Sequence, residues 1–380
     1  MAGAEDDRLR IMHGGPFYKL MGRLGLGRRG WRAFVLASLC WTVPMVLLLA
    51  ARGGYGAGLF LHDWGAWAKF LVAPVLLTLA EKPIGLSLDK CVSLLLRIPL
   101  IAGQSVPDTR KALRDARARA TGLLPELACL LVAMGASAFT ASNFFYGTGP
   151  AWAVFDGGPS LAGIWSVSVS NTLYWFLLTR LVWKHVVWWR LLSAIGGCHL
   201  RLAVTHPDGH GGLGFLGSYP AGSALFTLAT SSVLAAGVGH VMGHQTVTPT
   251  LFTSVCAGWL VIVALYFALP LVPVEFQVAR LKRKAMQLSL AKLTDAERAA
   301  ERKALGENVF EDEAEREFQG SESGDAKPVY LASMKTSALL VSKANILHVL
   351  FPALLPLMLV GASYLPYSEL GPIVKRLLFL

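Results

Sequence analysis

The stretch Leu251–Glu275, LFTSVCAGWLVIVALYFALPLVPVE, decides the fold class of this chain. It carries no charged side chain before Glu275. About 20 predominantly apolar residues are enough for an α-helix to cross the roughly 30 Å hydrocarbon core of a bilayer. The stretch therefore predicts a transmembrane helix.

Five further stretches have the same character: Trp31–Ala51, Trp64–Ala80, Thr121–Ala141, Leu161–Trp183 and Ala221–Val241. The whole chain is 54% apolar and 16% charged, and its mean hydropathy is +0.51. Ordinary globular proteins are roughly 45–50% apolar and about 25% charged. This composition excludes an ordinary cytosolic enzyme, a disordered chain and a disulfide-stapled secreted module. We predict an all-α, polytopic helical membrane protein with about six transmembrane helices.

Basic residues alternate between dense and sparse along the segments that connect these stretches. Segments 1–30, 82–120, 184–220 and 276–345 carry six, eight, three and twelve Lys or Arg, whereas 52–63, 143–160 and 242–250 carry one, none and none. Because Lys and Arg concentrate in cytoplasmic loops, the alternation predicts an orientation. We expect a bacterial inner (cytoplasmic) membrane protein with both termini in the cytoplasm, and the net charge of +11 is mainly this signal.

Four regions follow: a cytoplasmic amphipathic leader (1–30), a transmembrane bundle (31–275), a cytoplasmic helical segment (276–345) and a proline-rich apolar tail (346–380). The tail is long enough to span, but Pro352 and Pro356 interrupt helical hydrogen bonding. Lys375 and Arg376 then follow. We favour a proline-broken re-entrant or interfacial helix here, with a full seventh span as the alternative.

The string His206-Pro-Asp-Gly-His-Gly-Gly-Leu-Gly-Phe-Leu-Gly217 joins the fourth and fifth stretches. The side chains of His206, Asp208 and His210 could bind a divalent metal. Gly211 and Gly212 permit positive φ, so their N–H groups could bind an anion at the start of the next helix. A tight structural turn is the third reading. The string is a candidate ligand or gating loop.

This loop, together with Phe70–Glu81 (FLVAPVLLTLAE), resembles a family of uncharacterised bacterial inner-membrane proteins. Members carry an HPD-x-x-GGLGFL loop and a PLL-x-LAE phrase, and here Val75 stands between the proline and the leucine pair. The resemblance implies an inner-membrane protein and no particular reaction. The resemblance implies that the following residues are family features: His206, Pro207, Asp208, Gly211, Gly212 and Glu81.

Three charged side chains are predicted at membrane depth: Glu81, Glu126 and Arg180. Glu126 lies near the start of the third stretch, where a buried carboxylate is costly and usually faces a partner or a cavity. Arg180, in the fourth stretch, is the nearest partner at similar depth. A structural ion pair and a selectivity element at a pore mouth both remain open.

Polar side chains of the fourth and fifth stretches are candidates to line a pore. Ser223, Thr227, Thr230 and Ser231 share one face of the fifth stretch, and Asn171 lies on a comparable face of the fourth. Small and hydroxyl residues also let helices approach closely. Close helix packing and a weakly charged permeation path are therefore both possible readings.

Two further sets of residues could bind ligands. His240 and His244, four residues apart on one helical face, could hold a metal if other ligands joined them, or could anchor the helix at the interface. We otherwise expect no cofactor. Basic residues on the predicted cytoplasmic side could attract anionic lipid or bind a nucleotide or oligonucleotide, but not double-stranded DNA. They are Arg114, Arg117, Arg280, Lys282 and Arg283.

The sequence contains no HExxH zinc motif, nucleophilic serine motif or Walker loop, so an enzyme is the less expected class. We predict a homo-oligomer, with a tetramer as the expected state, that forms an ion-conducting pore. A cytoplasmic anionic ligand of nucleotide type would gate it, as in a bacterial stress or defence effector. The alternatives are a secondary transporter and a membrane enzyme or metal site built on His206, Asp208 and His210.

Overall fold

A computed structural model describes residues 11–146, 149–155, 158–310, 326–365 and 377. Within these residues seven helices are long and apolar enough to cross a membrane. The predicted all-α, polytopic helical membrane fold is confirmed. We number these helices as spans one to seven: Arg29–Leu61, Trp64–Arg97, Leu123–Ser142, Leu161–Gly196, Gly214–His244, Pro249–Leu305 and Lys343–Tyr364.

Shorter elements make up the spans and their connections. The α-helices are α1 (Pro16–Arg23), α2 (Arg29–Ala37), α3 (Val43–Leu61), α4 (Trp64–Ala66), α5 (Ala73–Arg97), α6 (Val106–Thr121), α7 (Leu123–Tyr146), α8 (Leu161–Trp165), α9 (Thr172–Gly196), α10 (Ala224–His244), α11 (Pro249–Ala268), α12 (Val272–Leu305), α13 (Lys327–Lys335) and α14 (Lys343–Tyr364). Segments Gly103–Ser105, Gly214–Ser223 and Leu269–Leu271 are 3-10 helical, and Val154–Phe155 pairs antiparallel with Gly158–Pro159 as β1 and β2.

Side-chain caps start four of the spans. Asp63 accepts hydrogen bonds from the N–H groups of Gly65 and Ala66 at the start of span two. Ser160, Thr248 and Ser342 cap spans four, six and seven in the same way. Such oxygens satisfy backbone donors that have no partner inside the helix. The sequence thus defines where these apolar helices begin.

Three spans contain π-helical segments that contact one another: Ser38–Thr42, Trp67–Val72 and Ser166–Asn171. The Ser170 hydroxyl donates to the carbonyl of Cys40 at 2.8 Å and ties two of these segments together. Short π-helical insertions are rare in proteins, and those that occur are often found at functional sites. They place an irregular backbone inside the bundle where spans one, two and four meet.

The apolar tail does not form the proline-broken re-entrant helix that we favoured. It forms a helix long and apolar enough to be a seventh span, which was the alternative. α14 is one continuous helix through Pro352 and Pro356. It packs along spans five and six, and neighbouring helices allow prolines to be accommodated within a membrane helix. Its last residue, Tyr364, lies beside Gly243 near the end of span five. Most of the tail beyond Leu365, including Lys375 and Arg376, lies outside the described residues, as does the acidic segment 311–325.

Successive spans run in alternating directions, so the bundle has two ends. One end, the basic end, carries the start of span one, α6 and the His206–Gly217 loop. There Ala102 donates its N–H to the carbonyl of His199 at 3.0 Å. At the opposite end, the indole of Trp152 donates to Asp63 at 2.7 Å. Span six continues beyond the bundle at the basic end as α12, a single helix to Leu305.

Candidate functional site

Five ionisable side chains from four spans meet inside the basic half of the bundle. Their exposed fractions are 1% for Arg32, 2% for Glu81, 7% for Glu126, 1% for Arg180 and 0% for Lys184. We call this set the charge network. Ionisable groups buried in a membrane bundle are costly, so they are functional candidates by default.

Glu81 is the centre of the charge network. Its Oε2 accepts a hydrogen bond from Arg32 Nη2 at 2.5 Å, and its Oε1 accepts one from Arg180 Nη1. Arg180 also donates through Nε to Glu126 Oε1 at 3.2 Å. The structure therefore brings together Glu126 and Arg180, which the sequence proposed as partners, and adds Glu81 as a second carboxylate for the same arginine.

The N-terminal segment closes the charge network from the basic end. Phe17 donates its backbone N–H to Glu126 Oε2 at 2.7 Å, and its ring lies 5.0 Å from Arg180 Cζ. Gly15 has φ +96°, and a Cβ there would overlap Glu126 Oε1. Met12 is buried against Gly85, one turn beyond Glu81 on span two. Part of the predicted amphipathic leader thus lies inside the bundle rather than only on the surface.

Several buried donors around the charge network have no hydrogen-bond partner among the described residues. They are Nε and Nη1 of Arg32, Nη2 of Arg180, Nζ of Lys184, the hydroxyl of Thr78 and the indole N–H of Trp188. Three cationic side chains face two carboxylates. The network thus contains more basic than acidic side chains and more donors than its own acceptors satisfy, and unsatisfied buried donors are costly.

Asp208 organises the His206–Gly217 loop. Its carboxylate accepts hydrogen bonds from the N–H groups of His210, Gly212 and Gly214 at 2.9 to 3.1 Å. His206 Nδ1 lies 2.8 Å from Asp208 Oδ1. Partial burial raises the pKa of the Asp208 carboxyl, but hydrogen bonds from three backbone N–H groups and from His206 outweigh it, so this pKa lies below its ordinary value. The carboxylate stabilises the turn from within.

The same loop receives the segment that leads into span seven. Ser337 donates its N–H to the carbonyl of Gly209, and its own carbonyl lies 3.0 Å from His210 Nδ1. A Cβ at Gly217 would overlap the carbonyl oxygen of Leu340. Gly211 and Gly212 have positive φ, as the turn requires. These contacts give the loop a structural role in docking residues 336–341.

Neither predicted metal site assembles in the described part of the chain, where no three His, Cys, Asp or Glu side chains form a group that could hold a metal ion. In the loop, Asp208 is engaged with backbone N–H groups. The rings of His240 and His244 are 4.5 Å apart, and His244 Nδ1 contacts the carbonyl of His240. Two histidines alone are too few ligands for a zinc site.

The predicted pore-lining side chains are engaged in helix packing. Thr227 and Thr230 hydrogen-bond to carbonyls of their own helix, and Ser231 accepts from the indole of Trp259 on span six at 2.7 Å. Ser223 is also buried. Asn171 instead donates to Ser137 and Thr140 of span three. The hydroxyls of span five and Asn171 thus face different neighbours.

The cationic surface residues lie on two helices that both pack against span four. Arg114, Arg280 and Arg283 are exposed, and Arg117 is half-buried. Lys282 donates through Nζ to the carbonyl of Thr336 at 2.7 Å, so it helps to hold residues 336–341. A cleft of about 220 Å³ between α6 and span four includes Asp108 and Asp115 beside Arg119 and Arg190, so its charge is mixed.

Two members of the charge network were not singled out as buried charges from the sequence. Arg32 lies near the first residue of the predicted first span, where a basic residue is expected at the interface. Lys184 follows Arg180 by four residues, which places both side chains on one helical face. This spacing is the sequence feature that could have identified Lys184 as a buried partner of Arg180. None of the family models, curated proteins or solved structures compared with this chain matches it. The resemblance to the HPD-x-x-GGLGFL family stays a prediction.

Proposed function

We propose that this integral membrane protein conducts ions and that the charge network controls their passage. The observation that carries the proposal is the burial of five ionisable side chains where spans one to four meet. Rings and clusters of charged side chains select ions in membrane pores. The positive-inside pattern supports placing the basic end in the cytoplasm of a bacterium, with the charge network at the inner mouth.

The conducting form is a homo-oligomer, with a tetramer as the expected state. Ser231 and Asn171 are used for packing within one chain, so a polar path is better formed between chains. Span three has the most surface to offer a neighbouring chain or lipid. Only 22% of its most apolar window is buried, against 44% in spans two and four.

A cytoplasmic anionic ligand of nucleotide or oligonucleotide type is the proposed gating signal. Its support is the exposure of Arg114, Arg280 and Arg283 at the basic end. Contacts to phosphate groups release counterions, so the response should weaken steeply as salt rises. Attraction of the same residues to anionic lipid accounts for their charge without a ligand, and salt titration in neutral-lipid vesicles distinguishes the two.

Flux from proteoliposomes tests the function. The purified full-length chain is reconstituted, and release of trapped potassium and chloride is followed with and without nucleotide messengers at two ionic strengths. Glu126→Gln alters a carboxylate of the charge network while keeping a hydrogen-bond acceptor, and it should change the rate or the ion preference. Glu297→Gln, on the exposed part of α12, should behave as the wild type. Absence of flux under all these conditions would contradict ion conduction, and a monomeric active particle in mass photometry would contradict the oligomer.

A secondary transporter is the second candidate, and the contacting π-helical segments of spans one, two and four favour it. Irregular backbone beside a buried site is common in transporters that alternate between two states. Saturable exchange flux, with acceleration by substrate on the opposite side, would support a transporter over a channel.

A further inference from the structure

Glu81 holds both arginines of the charge network and leaves other nitrogens of each arginine unpaired. Arg32 and Arg180 bind opposite oxygens of the same carboxylate, each through one terminal nitrogen. Their second terminal nitrogens, Nη1 of Arg32 and Nη2 of Arg180, are buried and have no partner in the described chain. Since a guanidinium nitrogen donates and never accepts, each requires an acceptor.

Lys184 adds a third basic side chain to the charge network. It lies one helical turn beyond Arg180 on span four and is completely buried. No hydrogen-bond acceptor contacts its Nζ among the residues that the structure describes. Its charged neighbours are Arg180 and Arg32, which repel it, and Glu81 and Glu126, which attract it. Both carboxylates already accept hydrogen bonds from other donors.

The missing component is an acceptor that also carries negative charge. A water molecule would satisfy a donor but would leave the third basic side chain without a matching negative charge. The unpaired nitrogens are buried and the Phe17 ring lies against the Arg180 guanidinium, so a phosphate ester or nucleotide is too large and too strongly hydrated. A small monovalent anion such as chloride, bromide or nitrate has the required charge and size.

We propose that the charge network binds one small monovalent anion between Lys184 Nζ and the unpaired guanidinium nitrogens of Arg180 and Arg32. This inference names the ion class for the proposed function, and the role of the anion in conduction rests on that function. The binding itself does not, because all the residues proposed to hold the anion belong to a single chain.

Thermal unfolding of the full-length protein in detergent tests the binding. Sodium chloride, bromide and nitrate are each compared with sodium gluconate at equal ionic strength and pH. A ligand that binds only the folded state raises Tm with its concentration, so the small anions should give a saturable rise that gluconate does not. Chlorine-35 NMR should show line broadening that bromide displaces.

Lys184→Met is the decisive variant, because it removes the ammonium and keeps the apolar stem. Lys184 Nζ has no hydrogen-bond partner among the described residues, so the substitution breaks no such contact and the variant should fold. It should lose the rise in Tm and the line broadening, and Lys184→Gln provides a second uncharged variant. The matched control is Lys82→Met, which removes an exposed lysine beside Glu81 and should keep both.

The outcomes separate the binding from the function. Equal Tm in chloride and gluconate for the wild type, or an unchanged chloride effect in both Lys184 variants, would overturn the anion site even if flux is present. Chloride binding that depends on Lys184 in a protein without flux would support the site and contradict ion conduction.

Discussion

The backbone N–H of Phe17 donates to Glu126 Oε2 at 2.7 Å, across 109 residues of chain. This bond joins the N-terminal segment to span three and, through Arg180, to the centre of the charge network. The segment is therefore an integral part of the bundle at the basic end. Displacing it would open the network on that side.

Gly15→Ala should weaken this contact. The new methyl group would overlap Glu126 Oε1, and φ of +96° is unfavourable for alanine. We expect destabilisation of about 1–3 kcal/mol, measured by thermal unfolding, with a higher basal flux in proteoliposomes. Gly22→Ala is the control, because nothing lies within 4 Å of a Cβ at that helical position. Equal Tm and flux in the two variants would show that the segment is not held through Gly15.

Glu81→Gln should be among the most damaging single substitutions in the chain. It leaves Arg32 and Arg180 without the carboxylate that they share. Breaking a buried ion pair by removing one partner costs roughly 3–5 kcal/mol, because a charge remains buried and uncompensated. Thermal unfolding in detergent measures this loss, with Glu297→Gln as the control. A loss no greater than that of the control would mean that Glu81 does not hold the two arginines in the folded protein.

Asp208→Asn should loosen the His206–Gly217 loop without disrupting the spans. Each of three backbone N–H groups loses a charged acceptor, and a buried donor left unsatisfied costs about 1–3 kcal/mol. Hydrogen exchange at residues 206–214 should rise, while exchange in spans two and four stays unchanged.

If the loop is also a ligand site, His206→Ala and Asp208→Ala should abolish function with assembly intact. Normal flux in both alanine variants would contradict the hypothesis that the loop binds a ligand.

The contribution of Asp208 should also depend on pH. Because its folded-state pKa lies below the ordinary value of about 3.9, ionised Asp208 stabilises the fold above that pH. This stabilisation is lost as pH falls through the folded-state pKa. The difference in Tm between the wild type and Asp208→Asn should be constant near neutral pH and should shrink in acid. A difference that grows as pH falls would contradict the hydrogen-bonded carboxylate.

Gly217→Ala should detach the segment that leads into span seven. A methyl group at this position would overlap the carbonyl oxygen of Leu340. Leu340 is also held by span six, because its N–H donates to Glu275 Oε1 at 2.9 Å. Because the overlapped atom belongs to the backbone and not to a flexible side chain, the overlap is relieved only if the segment 336–341 is displaced. This segment should then become sensitive to protease. Gly237→Ala, with open space at its Cβ, should show the wild-type pattern. Resistance equal to that control would contradict the close approach.

The sequence by itself determined the class of the protein and the orientation expected for it in the membrane. Apolar length decides which helices can span a membrane, and this property depends on consecutive residues only. It therefore predicted the first six spans and recognised the seventh as possible. It also proposed Arg180 as the partner of Glu126, because both lie near the same predicted depth. Basic residues in the loops set the expected orientation in the same local way.

Only the tertiary structure decided what those helices enclose. Arg32 and Glu81 are 49 positions apart, and the contact between them depends on how spans one and two pack. Pro352 and Pro356 remain helical because α14 packs along spans five and six, a relationship that no local pattern encodes. Asp208, whose spacing suggested a metal ligand, accepts hydrogen bonds from its own loop. In each case the partner is supplied by chain folding, so the chemistry of a side chain depends on distant residues that the linear sequence does not identify.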